Sequence, residues 1–182
     1  MNIVLKKTFS ILLILLFITN LKAQETIKKY ADSKISTVTY KMSHPMHDWE
    51  GINKNVKAVI IKNKDGKIDK VAVALKIIDF DSKNANRDSH AVEILDAIKY
   101  PAVTFVSSKI TEIDNNIKVS GILTFHNVKK SITIPVIRKV KGEKEFYSGM
   151  FEIDMTEYNI KRPSLMSIPA DKIIKISFFV VF

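Results

Sequence analysis

Two short stretches of the sequence hold residue types that could do chemistry. The first reads His44-Pro45-Met46-His47-Asp48-Trp49-Glu50. Two histidines three residues apart could bind zinc only with ligands from elsewhere, because the chain has no cysteine and no His-Glu-x-x-His pattern. His90 and His126 would have to approach them in space. We therefore expect no metal site, and interpret the stretch as a polar turn between two strands in which Trp49 covers one end of the fold.

The second stretch reads Asn86-Arg87-Asp88-Ser89-His90. Its arginine and carboxylate could pair, and its histidine could carry a proton. However, Ser89 is adjacent to His90 in sequence, and no Gly-x-Ser-x-Gly motif is present, so a hydrolase is not expected. The five glycines form no phosphate-binding cluster, which argues against a nucleotide cofactor. We predict a protein that is not an enzyme and uses no cofactor, with Arg87 and Asp88 tying a helix to the rest of the fold.

Strands that alternate apolar and polar residues must position these stretches. From Lys34 onward the pattern has period two, which is typical of strands with one buried and one solvated face. Turn sequences such as Lys64-Asp65-Gly66 and His126-Asn127 predict antiparallel neighbours. We expect eight strands, near residues 34–42, 55–62, 67–79, 102–111, 117–125, 128–139, 145–155 and 172–182.

One short amphipathic helix interrupts these strands between Ser82 and Pro101. Apolar residues recur at helical spacing, Asn84 or Asn86 could cap the first turn, and Pro101 prevents continuation into the next strand. The apolar positions are Ala91, Ile94, Leu95 and Ile98. The predicted fold is all-β, an eight-stranded antiparallel β-barrel or half-barrel with one short α-helix between strands 3 and 4, because closure removes exposed sheet edges.

Residues 1–23 are expected to be a signal peptide, because Lys6 and Lys7 precede an apolar run over residues 11–18 and Ala23 suits the position before the cleavage bond. Cleavage would leave one domain, residues 24–182, with 26 basic and 19 acidic residues and a net charge of +7. The lysines are scattered rather than gathered in a stripe, so no nucleic-acid partner is expected. A solvated outer face accounts for them, with a weak, transient contact to anionic membrane surfaces as the alternative.

Three segments resemble the YceI-like, polyisoprenoid-binding family: residues 82–90, 99–107 and 119–130, the last with a glycine, a Leu-Thr pair and a histidine in the family's order. The resemblance implies a lipocalin-like antiparallel barrel that is exported to the periplasm or secreted. It also implies that the interior holds a polyisoprenoid or fatty lipid chain, as a carrier or store without catalytic activity. Residues 44–51 and 159–167 depart from the family's pattern.

Alternation alone assigns the side chains that should face the interior. Since each buried methylene contributes about 0.8 kcal/mol, an apolar ligand needs no polar anchor there. The predicted ligand-binding residues are Val38, Tyr40, Met42, Trp49, Val73, Leu75, Ile77, Phe105, Leu123, Phe125, Ile134, Phe151, Ile176 and Phe178. A charged head group would meet His44, His47, Arg87 and His90 at the mouth.

Three other functions compete with this one. An integral outer-membrane barrel is not favoured, because Lys70, Lys76 and Lys118 occupy the face opposite the apolar one and a single tryptophan cannot form two aromatic girdles. A metal-dependent enzyme using the turn with His44 and His47 remains an alternative. So does a ligand-free, stress-related barrel filled with side chains that binds a partner. The sequence leaves open whether the protein forms a homodimer.

Overall fold

The computed structural model describes residues 26–182, so the predicted signal peptide lies outside the described residues. The strands, in chain order, are β1 (Ile27–Tyr30), β2 (Thr37–His44), β3 (His47–Asn53), β4 (Lys57–Lys62), β5 (Ile68–Lys76), β6 (Phe80–Asp81), β7 (Ala102–Ile113), β8 (Asn116–Phe125), β9 (Val128–Lys141), β10 (Lys144–Asp154), β11 (Ser164–Leu165), β12 (Ile168–Pro169) and β13 (Ile173–Val181). Helix α1 spans Ala85–Ile94, and 3-10 turns span Ile77–Asp79 and Met155–Tyr158.

Eleven of these strands form one antiparallel sheet in the order β1-β4-β5-β7-β8-β9-β10-β13-β2-β3-β6, while β11 and β12 form a separate hairpin. The sheet curls on itself. The backbone N–H of Asp32, just after the edge strand β1, donates to the carbonyl of Val181 in β13 at 2.7 Å. Because β1 and β13 are far apart in the sheet order, this bond requires a half-barrel.

The prediction of an all-β fold with one short helix and a curled antiparallel sheet is confirmed, but the number of strands is wrong. The structure has five further strands, β1, β3, β6, β11 and β12, besides the eight expected. Helix α1 lies in the expected interval, yet it follows β6 rather than a third strand. Strands of two to four residues are too short to show alternation, which explains four of the five omissions.

Strand β3 was expected to be a polar turn, and that prediction is wrong. His47 to Asn53 pairs along its whole length with β2, with Met42 opposite Trp49 and Tyr40 opposite Gly51. Its inner face carries a tryptophan, a glycine and an asparagine instead of aliphatic residues. Asn53 is fully buried and donates to the carbonyl of Lys76 at 3.0 Å. The strand is therefore real, but its inner face does not look apolar in the sequence.

Helix α1 begins where the sequence predicted, but it ends earlier than expected. The Asn84 side chain caps the helix by accepting a hydrogen bond from the backbone N–H of Arg87 at 3.1 Å. The helix ends at Ile94, so Ile98 lies beyond it and is 94% exposed, while Ala97 is buried instead. The chain then turns towards Pro101 and β7. Within residues 26–182, none of the helices combines the length and the apolar character that crossing a membrane would need.

Candidate functional site

A cavity of about 570 Å³ lies inside the curled sheet. All fourteen residues predicted to bind ligand line it: Val38, Tyr40, Met42, Trp49, Val73, Leu75, Ile77, Phe105, Leu123, Phe125, Ile134, Phe151, Ile176 and Phe178. They come from β2, β3, β5, β7, β8, β9, β10, β13 and the 3-10 turn after β5. Their roles as ligand contacts remain predictions, but the strands supply an almost wholly apolar wall.

Glycines on neighbouring strands let two of the aromatic rings lie against this wall. Gly51 faces Tyr40 across the β2–β3 ladder, and an added Cβ would collide with the Tyr40 ring. Gly149 faces Phe178 across the β10–β13 ladder, where a Cβ would collide with both the Phe178 ring and the carbonyl of Pro135. Each ring therefore occupies the place of a missing side chain, which leaves more of the interior open.

Helix α1 supplies the polar part of the lining. Arg87, Asp88, Ser89 and His90 all border the cavity. The Arg87 guanidinium lies 5.9 Å from the ring centroid of Trp49, and its Nη1 donates to the Ser82 carbonyl at 3.4 Å. The Asp88 carboxylate accepts from the Ser82 N–H at 3.1 Å. These bonds tie the helix to the end of β6, as the sequence predicted.

Trp49 and Arg87 also line a second, polar groove on the outside of the molecule, together with Asp48, Glu50, Ile52, Lys54, Asp79, Asp81, Ser82 and Lys83. The tryptophan and the arginine therefore separate the interior from a charged surface groove. Burial, followed by the negative charge of Asp88, raises the pKa of nearby Tyr40, so its phenol stays protonated at neutral pH. Charged and polar side chains are therefore concentrated at this end of the cavity.

The structure places His44 and His47 outside the cavity lining. His44 is buried, and both ring nitrogens are engaged: Nε2 donates to the Ile168 carbonyl at 2.9 Å and Nδ1 accepts from the Met46 N–H at 3.1 Å. His47 is exposed and stacks beside Trp49 at 5.4 Å between ring centroids. Of the four residues expected at the mouth, Arg87 and His90 line the cavity, whereas His44 and His47 do not.

The four histidines do not converge. His126 accepts or donates through Nδ1 at the Tyr158 carbonyl, 3.0 Å away, and packs against Tyr100. His90 lies 3.6 Å from Glu93. Within residues 26–182, no three histidine, aspartate or glutamate side chains are arranged to hold a metal ion. The geometry therefore gives no support to a metal centre at the turn with His44 and His47.

A buried ionic cluster, which the sequence pattern did not predict, closes the other end of the cavity. Glu145 accepts from Lys62 Nζ at 2.6 Å to each oxygen, from the Tyr147 hydroxyl at 2.7 Å and from Lys29 Nζ at 2.9 Å. Arg138 Nη2 lies 2.8 Å from the same carboxylate. The Tyr147 ring lines the cavity, so this cluster holds its floor in place.

The cluster shifts two acid–base equilibria. Burial disfavours the charged form of Glu145, but the hydrogen bonds from Lys62, Tyr147 and Lys29 outweigh it and lower its pKa to about 2. Burial and the bond to Glu145 raise the pKa of Tyr147. Lys62 alternates in step with the inward-facing Ala58 and Ile60. Glu145 alternates in step with the inward-facing Tyr147 and Phe151. A charged residue at an inward-facing position is therefore the sequence feature that could have indicated this cluster.

The comparisons with known proteins agree with this geometry. The family model of the YceI-like domain matches residues 30–182 of this chain. The chain belongs to the YceI-like family. Protein YceI of Salmonella newport (strain SL254) is 27% identical over 156 residues, which span 80% of this chain and 82% of that one.

Two solved structures share the YceI-like fold with this chain. The crystal structure of Burkholderia cenocepacia BcnA matches with a TM-score of 0.76 at 22% identity, covering 84% of this chain and 99% of BcnA. A polyisoprenoid binding domain from Saccharophagus degradans, implicated in plant cell wall breakdown, matches with a TM-score of 0.68 at 11% identity, covering 86% of this chain and 98% of that domain. At these identities the likeness establishes the fold.

Proposed function

We propose that this protein binds one long apolar lipid, a polyisoprenoid or a similar chain, in its cavity and performs no catalysis. The observation that carries the proposal is the interior space of about 570 Å³ with apolar walls. This volume lies within the range of about 300–1,000 Å³ that is typical of small-molecule sites. Membership of the YceI-like family, and the fold neighbour described as a polyisoprenoid binding domain, support the choice of ligand class.

Chain length should govern affinity. Each buried methylene contributes about 0.8 kcal/mol, so a five-carbon isoprene unit contributes roughly 4 kcal/mol before ordering costs. Affinity then rises with each unit until the chain fills the cavity. A head group adds selectivity at the helix end, where Arg87 and His90 face an anionic or hydroxyl group. His44 and His47 have no part in this scheme.

We also propose where the protein acts. The expected signal peptide supports a protein that works after export, in the periplasm or outside the cell. There it carries or stores its lipid.

Intrinsic fluorescence tests the proposal, because Trp49 is the only tryptophan in the chain and lines the cavity. Titration with geranylgeraniol should change its emission saturably, whereas glycerol should not. Val73→Phe adds bulk inside the cavity and should weaken the binding of geranylgeraniol at least tenfold. Val106→Phe is the matched control, because Val106 is exposed on the strand next to Val73.

Two outcomes would contradict the proposal. One is a wild-type protein whose Trp49 emission does not respond to any isoprenoid alcohol, which is the result that a ligand-free, partner-binding barrel predicts. The other is equal affinity of the Val73→Phe and Val106→Phe variants, which would place the ligand outside the cavity.

A further inference from the structure

One end of the molecule carries a cluster of exposed apolar side chains at the tips of two turns. The β11–β12 hairpin turns through Met166 and Ser167, both with positive φ. Met166 is 78% exposed, and the neighbouring Leu165 and Ile168 are also exposed. Met46, in the turn between β2 and β3, is exposed as well. We call Met46, Leu165, Met166 and Ile168 the apolar tip.

The two turns are joined through one side chain. The His44 ring donates from Nε2 to the Ile168 carbonyl and accepts at Nδ1 from the Met46 N–H. A backbone bond from the Asp171 N–H to the Ser43 carbonyl, at 2.8 Å, reinforces the connection. The hairpin is therefore held against the β2–β3 turn, and the apolar tip is one surface.

Positive charge flanks this surface. Residues 159–175 contain Lys161, Arg162, Lys172 and Lys175 and one acidic residue, Asp171. Lys172 is paired with Asp154 at 2.8 Å, and Asp48, near Met46, is paired with Lys41 at 3.3 Å, so the basic residues remain in excess. Lys161 and Lys175 are exposed. An apolar tip with basic neighbours is the composition that binds the interface of an anionic bilayer, where alkyl side chains enter the acyl boundary and lysines face the head groups.

The same segment reaches the cavity. Ile160 and Pro163, which precede the hairpin, line the interior. A surface that contacts lipid at its tip and the binding cavity at its base can bring the cavity close to a membrane.

From this arrangement we infer that the apolar tip docks on anionic phospholipid bilayers, so that lipid exchange with the cavity takes place at the membrane surface. This inference rests on the proposed lipid-binding function. A second copy of the chain is a poorer occupant, because stable protein interfaces use about 20–30 residues a side and the tip has four. Its excess of positive charge would also repel an identical surface.

Flotation with lipid vesicles tests the inference. The wild-type protein should float with vesicles of mixed phosphatidylcholine and phosphatidylglycerol, and a smaller fraction should float with pure phosphatidylcholine. High salt should reduce the fraction that floats with the mixed vesicles. The double variant Leu165→Ser, Met166→Ser should bind the mixed vesicles with an affinity at least roughly tenfold lower, because it removes several apolar carbons from the contact. Lys161→Glu should weaken binding to the mixed vesicles and leave pure phosphatidylcholine unaffected.

Met150→Ser provides the matched control, because Met150 is 70% exposed on β10, within the barrel wall. It should float like the wild type. Unchanged thermal unfolding of every variant shows that the fold is intact.

Equal flotation of the double variant and the Met150→Ser control would overturn the inference. So would a wild type that binds geranylgeraniol by Trp49 fluorescence but never floats, a result that leaves the cavity proposal standing. If the double variant instead turns a dimer into a monomer in light scattering, the tip is a self-association surface and the inference is wrong.

Discussion

At the scale of single residues, Glu145 is the side chain on which the closed end of the cavity depends. Its side chain is 6% exposed and accepts hydrogen bonds from two lysines, a tyrosine and an arginine. The Tyr147 hydroxyl binds this carboxylate while the Tyr147 ring lines the cavity. The ionic cluster therefore stabilises the floor of the cavity as well as the fold.

Glu145→Gln should destabilise the protein by about 3–5 kcal/mol, because it leaves Lys62 buried without a counter-charge. Urea unfolding at neutral pH measures this free energy. Glu152→Gln, at an exposed position of the same strand, is the matched control and should stay within about 0.5 kcal/mol of the wild type. Similar losses in both variants would show that the cluster contributes no more than a surface charge.

At acidic pH, the wild type should lose its greater free energy of unfolding relative to Glu145→Gln. The pKa of Glu145 is lowered in the folded protein from 4.5 to about 2, so the stability that it contributes is present above pH 4.5 and is lost as the pH falls towards 2. The difference in unfolding free energy between the two proteins should therefore narrow across this window. A difference that stays constant from about pH 5 to about pH 2 would contradict the assignment.

Alternation allows the inner-facing residues to be predicted one by one, the charged ones included, but it does not predict which charged residues pair. Alternation identifies positions such as Leu75 and Leu123 because their strands have clear polar outer faces. Lys62 and Glu145 lie at strand ends and are 83 residues apart in sequence, so their pairing depends on the curl of the sheet. Nothing local in the sequence shows that one charge neutralises the other.

At the scale of elements, α1 supplies the polar residues of the cavity, and its first turn depends on one cap. Asn84→Ala should cost about 1 kcal/mol of stability, because it removes the acceptor for the Arg87 N–H. Asn86→Ala is the matched control. Asn86 is exposed within the helix, where alanine is the better helix former, so this change should be neutral or slightly stabilising. Thermal unfolding distinguishes the two, and equal shifts would mean that Asn84 does not cap the helix.

Elements with a long alternating pattern could be predicted from the sequence, and the others could not. Strands β8 and β9 show ten or more residues of alternation and a two-residue turn, His126-Asn127, whose positive φ angles fit a tight hairpin. Strand β3 has Gly51 and Asn53 on its inner face. Gly51 is needed there because the Tyr40 ring fills the space of a side chain, a tertiary contact that no local pattern reveals.

At the scale of the whole molecule, the cavity has an aromatic floor and a polar opening. Phe182 packs edge-on against Tyr147, 5.6 Å between ring centroids, and both line the cavity. Trp49 and Arg87 lie between the interior and the outer groove. Alternation predicts which face a residue takes, but it cannot predict the volume that remains, because that depends on how the rings pack against glycines.

The position of Phe182 predicts that it limits the length of the bound chain. Phe182→Ala should deepen the cavity and shift the tightest binding towards longer isoprenoid alcohols, as measured by Trp49 fluorescence. Because Phe182 is only partly buried, the loss of stability should be smaller than the about 3–5 kcal/mol of a fully buried phenylalanine. An unchanged length preference in a folded variant would show that the chain does not reach the floor.

The most direct measurement is the mass spectrometry of lipids extracted with organic solvent from protein purified out of its native cells. We predict one class of long-chain isoprenoid or closely similar lipid in amounts close to one per protein molecule. The Val73→Phe variant, purified in the same way, should carry much less. Wild-type protein that folds and purifies with an empty interior, or a Val73→Phe variant that retains the same lipid in the same amount, would contradict the account.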